Sequence, residues 1–67
     1  MQRQAGTVKF YDSKEGYGFA INDNGDDVLI LRQHMPDSLQ LNVLDEIAFD
    51  QINTIRGLMA VNVITAD

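Results

Sequence analysis

The sequence predicts an all-β domain of five short strands closed into a small barrel. Three observations carry this reading. Apolar residues alternate with small or polar ones over most of the chain, a period of two rather than 3.6,. Turn signals recur between the alternating runs, at Ser13-Lys14-Glu15-Gly16, Asn24-Gly25 and Arg56-Gly57,. Finally, 67 residues without a cysteine leave no disulfide to staple an open sheet, and closing the sheet removes the edges that a chain this short has nothing to cover.

Ala5 to Asp12 is rich in β-formers (Thr7, Val8, Phe10, Tyr11) and reads as the first strand,. After the turn at 13–16, Tyr17, Phe19 and Ile21 alternate with Gly18, Ala20 and Asn22 in a second,. Asn24-Gly25 is a hairpin signal of the type I′ kind, in which both central residues take positive φ,. Val28 to Arg32 is the third strand. Pro36 ends the sheet locally, and Asp37 or Ser38 is placed to cap one turn of helix within a 33–45 connection,. Glu46 to Ile52 is the fourth strand, with Ile47 and Phe49 on one face; a helix over 39–52 is the alternative, since Leu41, Leu44, Glu46 and Ala48 tolerate it,. Leu58 to Ile64 is the fifth. Five strands with the longest link between the third and fourth match a Greek-key barrel of the OB type, built from residues 1–67 as one domain,.

Composition narrows the function classes. No run approaches the roughly 18 apolar residues of a membrane span, and MQRQAG lacks the apolar region of a signal peptide,. A soluble, cytoplasmic protein is expected. The net charge is −5, which taken alone disfavours a polyanionic partner. Its distribution is uneven. Residues 1–22 hold three cations against two carboxylates (+1), and residues 23–67 hold two against eight (−6). A ligand that meets one face feels that face rather than the total.

The less acidic part contains GTVKFYDSKEGYGFAI, which places four aromatic residues within ten positions. If Gly18 and Ala20 face the core, Tyr17 and Phe19 stand outward about 7 Å apart, a spacing that suits successive unstacked bases. Phe10 and Tyr11 on the neighbouring strand would widen such a platform, and Lys9 would reach phosphate. The same alternation is equally satisfied by rings turned inward to fill the barrel.

The stretch resembles the cold-shock domain signature G-x-V-K-W-F-N-x-x-K-G-[FY]-G-F-I, whose K-G-[FY]-G-F box binds single-stranded nucleic acid. Asp27-Val28-Leu29-Ile30-Leu31 stands where that family has D-V-F-V-H. Leu41 to Phe49 keeps its L-x-x-x-x-x-V-x-F spacing, and Gly57 to Val63 is similar to G-[PL]-x-A-x-N-V. The resemblance implies a five-stranded antiparallel barrel that binds single-stranded RNA or DNA with little sequence selectivity. By position it makes Lys9, Phe10, Tyr17 and Phe19 binding residues and Tyr11 a partly buried edge of the platform.

Departures from the family pattern concentrate on the same face. Phe10 replaces tryptophan, and Glu15 replaces a lysine beside the platform. Leu29 and Leu31 replace a phenylalanine and a histidine, and Arg32 stands where a further phenylalanine is usual. Arg32 would compensate in part by stacking its guanidinium and meeting phosphate. Weakened nucleic-acid binding is the expectation. The alternative is an interaction module whose Phe10-Tyr17-Phe19-Leu29-Leu31 patch meets protein, with homodimers formed through that face or by exchange of strands across the 33–45 connection.

The remaining chemistry-bearing residues suggest no catalysis, metal or cofactor. His34, the only histidine, reads as a solvated loop residue without companion ligands,. Asp23, Asn24, Asp26 and Asp27 lack the spacing of a calcium loop and fit a hairpin turn better. Ser13, Ser38 and His34 have no deep pocket in which to align, and Asp45-Glu46 reads as a solvated strand entrance.

Overall fold

The computed structural model describes residues 2–65. Five strands, β1 (Gln2–Asp12), β2 (Tyr17–Asn22), β3 (Asp27–Leu31), β4 (Glu46–Thr54) and β5 (Gly57–Thr65), close into a barrel in the order β1-β2-β3-β5-β4. Four of its seams are antiparallel and the β3–β5 seam is parallel. Parity requires this: an odd number of strands arranged in a ring cannot alternate direction throughout. The parallel seam is short, with only Leu29 opposite Met59 and Ile30 opposite Ala60.

Alternation fills the interior. Val8, Ala20, Val28, Ile30, Ile47, Phe49, Ala60 and Val63 are fully buried. Met35 and Leu41, from the connection between β3 and β4, complete the core. Ala20 and Ala60 are small because a five-stranded barrel has little room inside. One polar side chain joins them. Asn22 is 4% exposed, and its amide donates to Gln51 Oε1 at 2.8 Å while its oxygen accepts from the backbone N–H of Asn24 and Asp26. With both its amide nitrogen and its oxygen partnered, it fixes the hairpin to the barrel wall,.

Three local details depart from the sequence reading. At the β2–β3 hairpin only Gly25 has positive φ (85°). The Gly25 N–H donates to the Asn22 carbonyl and the Asn22 N–H to the Asp26 carbonyl. The loop is therefore a three-residue turn closed by a left-handed glycine and not a type I′ turn. The single turn of 3₁₀-helix spans Arg32–His34, ahead of Pro36, and takes Arg32 out of the third strand. It forms because the Arg32 N–H donates to the Gly16 carbonyl and the Met35 N–H to the Arg32 carbonyl, contacts that no local capping pattern announces. Residues 37–38 make a plain turn, bridged by Leu39 N–H to the Pro36 carbonyl. The segment read as possible helix contains the strand β4.

The end of the connection is pinned to β1. Leu44 N–H donates to the Val8 carbonyl at 2.7 Å, and Val8 N–H donates to the Asp45 carbonyl at 2.9 Å. To make this contact Leu44 takes φ of 76°, a left-handed conformation that disfavours a side chain. The Asp45 carboxylate accepts from Asn42 N–H and closes the turn.

Candidate nucleic-acid interface

The outer face of β1, β2 and β3 collects the aromatic residues, and a bulge puts the first of them there. Val8 is buried, so strict alternation along β1 would bury Phe10 as well. Instead the register with β2 slips between Val8, opposite Ala20, and Phe10, opposite Phe19. Lys9 is the extra residue, and its insertion turns Phe10 outward. Tyr17 and Phe19 face out because Gly18 and Ala20 between them face in.

Gly18 is required by the closeness of the two strands. A Cβ there would stand 2.1 Å from the Phe10 carbonyl oxygen and 2.7 Å from Tyr11 Cα. The Tyr11 ring occupies the inner side over Gly18, half-buried against the core. Tyr11 thus lies on the opposite side of β1 from Phe10, outside the ring cluster, and lines a cleft of about 320 Å³ with Arg32, Met35 and Leu41.

Phe10 stands between the other two rings, its centroid 5.8 Å from Tyr17 and 6.3 Å from Phe19. The interplanar angles of 59° and 33° are tilted arrangements of the kind aromatic quadrupoles favour. The rings hold one another in place, yet Phe10, Tyr17 and Phe19 remain 39%, 44% and 37% exposed, so each keeps surface open to a ligand. Leu31 lies opposite Tyr17 and Leu29 opposite Phe19, both outward and half-buried. They continue the patch as aliphatic ground without π-faces.

Charge around the rings is sparse. Lys9 is exposed at the bulge, and Lys14 and Glu15 are exposed in the turn that follows. That turn is built by Asp12, whose carboxylate accepts from the N–H groups of Lys14 and Glu15. Arg32 is exposed but tethered: its guanidinium donates to the Ser13 carbonyl and lies over Gly16. It braces the turn beside the platform from a fixed position. One outward neighbour escaped the sequence reading. Met59 of β5 sits next to Leu29 across the parallel seam, an adjacency that only the barrel's closure creates.

No protein-family model matches the chain. It is 36% identical over 63 residues to cold shock protein CspC of Bacillus subtilis (strain 168), covering 90% of this chain and 94% of that protein. The chain belongs to the cold-shock family. Its barrel also superposes on the drosophila Unr CSD456 structure with a TM-score of 0.80 over 98% of this chain, at 20% identity. This cold-shock domain spans 27% of the length of that chain. The all-β barrel predicted from the sequence is the one observed.

Proposed function

We propose that this cold-shock domain binds single-stranded RNA or DNA across the outer face of β1–β3. Phe10, Tyr17 and Phe19 stack bases, Leu29 and Leu31 extend the surface beneath them, and Lys9 and Arg32 meet phosphate. Tyr11 supports the site from behind by filling the space over Gly18. The observation that carries the proposal is the bulge at Lys9, which turns Phe10 out to join two further exposed rings in one cluster on the outer face of β1 and β2. A base stacked on a ring contributes about 1–3 kcal/mol whatever its identity, which favours binding with little sequence selectivity. Two leucines where the family pattern has rings, and Glu15 where it has a cation, make the binding weaker than in relatives that keep them.

Family membership and the open, ring-lined face support a binding module rather than an enzyme. We assign the protein to the cytoplasm as part of this proposal, on its likeness to a small bacterial cold shock protein over most of its length. Among the described residues no helix is long and apolar enough to cross a membrane. The connection between β3 and β4 buries Met35 and Leu41 and is pinned to Val8, which works against its straightening into a hinge for strand exchange.

Fluorescence anisotropy with a labelled pyrimidine-rich single strand at low salt tests the proposal. A Tyr17→Ala/Phe19→Ala double variant is expected to lose most of the affinity while keeping its fold. Equal affinity of the double variant and the wild type would remove the rings from the mechanism.

A further inference from the structure

The alternation that turns Phe19 and Leu29 outward does not stop at β3. On β5, Leu58 packs against the core and Ala60 is fully buried, so Met59 between them faces out,. It lies opposite Leu29 on one side and Ile52 of β4 on the other. Phe10, Phe19, Leu29, Met59 and Ile52 therefore form one outward row that crosses all five strands.

We propose that Met59 is a further nucleobase contact, which carries the ligand's path from the ring cluster over Leu29 and onto β5. The inference rests on the outer face being the single-strand site. Neighbouring strands lie about 4.8 Å apart, which places Met59 roughly 10 Å from Phe19 along the row, one to two nucleotides further on. The thioether is polarisable and unbranched and packs favourably against aromatic rings of any identity. It supplies a base contact where Leu29 offers only an aliphatic surface.

Charge supports the same path. The chain is strongly acidic, yet no member of the row is charged. Two carboxylates stand one strand across and two residues along from Met59, Asp50 of β4 opposite Val61 and Asp27 of β3 on the face of Leu29. Asp50 is the one with partners. It accepts a hydrogen bond from Asn62 Nδ2 at 2.9 Å and faces Arg3 at 3.6 Å. Asp27, on the other side, pairs with Ile21 at the hairpin end of β3. A phosphodiester following the row thus meets no carboxylate within the row itself, and of the two that flank it Asp50 is opposed by a cation while Asp27 lies toward the hairpin end.

The test compares oligothymidylates of about four and about eight nucleotides, which bracket short and long occupancy of one barrel. Met59→Ala is expected to weaken the longer strand about two- to tenfold and to leave the shorter within error, with an unchanged Tm. In protein carrying methyl-labelled methionine, the Met59 resonance, assigned by its absence in Met59→Ala, is expected to shift upfield on addition of the longer strand. The buried Met35 serves as the control. Equal losses at both lengths, no loss at either, or an unmoved Met59 methyl would overturn the inference. So would a Met59 shift that depends on protein concentration without DNA, which would mean that a second copy covers the residue. The Tyr17→Ala/Phe19→Ala variant separates the two readings. If it leaves the shorter strand unaffected, the ring platform itself fails; if it weakens that strand while Met59 stays silent, only the extension fails.

Discussion

Gly18→Ala should damage stability and binding together, and the structure sets the size of the effect. The new methyl would stand 2.1 Å from the Phe10 carbonyl oxygen, whereas ordinary contact begins at 3.4 Å. The obstacle is backbone, so no side-chain rotation relieves it, and β1 must move away from β2 by about 1.3 Å. The β1–β2 ladder hydrogen bonds next to Gly18 do not survive such a separation,. Overpacking of this kind costs about 2–3 kcal/mol, which for a domain this size lowers Tm by roughly 10–20 °C. Total stability at this length is only about 3–10 kcal/mol, so the loss is a large share of it. The same movement carries Phe10 away from Tyr17 and Phe19 and spoils the ring cluster. Differential scanning fluorimetry gives Tm, and anisotropy on the folded fraction gives affinity. A variant with wild-type Tm would refute the claim that the two strands touch at Gly18.

The other predictions concern charge, rings and the buried amide. Glu15→Lys changes the charge beside the platform by two units. With phosphate about 8 Å away in water, this strengthens binding about fivefold at low salt and less as salt screens it; titrations at two ionic strengths check both statements. Leu29→Phe restores a ring next to Phe19 and should tighten binding by about fivefold or more, about 1 kcal/mol being the low end for a stacked base; no gain would place the ligand away from β3. With two cations on phosphate, the slope of log K against log salt for a single strand should be about −1.4, and a much steeper slope would locate the binding on another basic surface. Asn22→Ala removes three hydrogen bonds at the β2–β3 hairpin and should cost about 1–3 kcal/mol in chemical denaturation, with affinity at low denaturant little changed.

The five strands were legible because their inward positions alternate cleanly. Gly18, Ala20 and Asn22 in β2, and Ile47 and Phe49 in β4, are buried as the period of two requires. Even the parallel seam follows from counting strands in a closed ring. The deviations arise where tertiary contacts override local preference. Phe10 sits two residues from buried Val8, and nothing in Val8-Lys9-Phe10 marks the bulge that reverses its facing; only the family resemblance pointed to it. Tyr11, its neighbour, consequently faces the interior. Arg32 was read as a strand residue because its tether to Ser13 and Gly16 joins segments far apart in sequence. The left-handed conformation of Leu44 is equally silent, since leucine does not advertise it. Met59 became visible only through the register of a seam that no local pattern encodes.

The position of β5 between β3 and β4 has a consequence for the chain as it is made. Translation delivers β1, β2 and β3 in order, and these can pair as a meander with all three platform rings already in place. β4 then finds its partner in β1, but the sheet still has two open margins, one on β3 and one on β4. Only the strand delivered last fits between them, and it supplies Ala60 and Val63 to the core. Assembly on the ribosome therefore proceeds without a closed intermediate, and a nascent chain stalled before β5 presents two strand margins to its neighbours. Its ring face, by contrast, is complete by residue 19. A transcript nearby would meet a formed platform on an unfinished barrel.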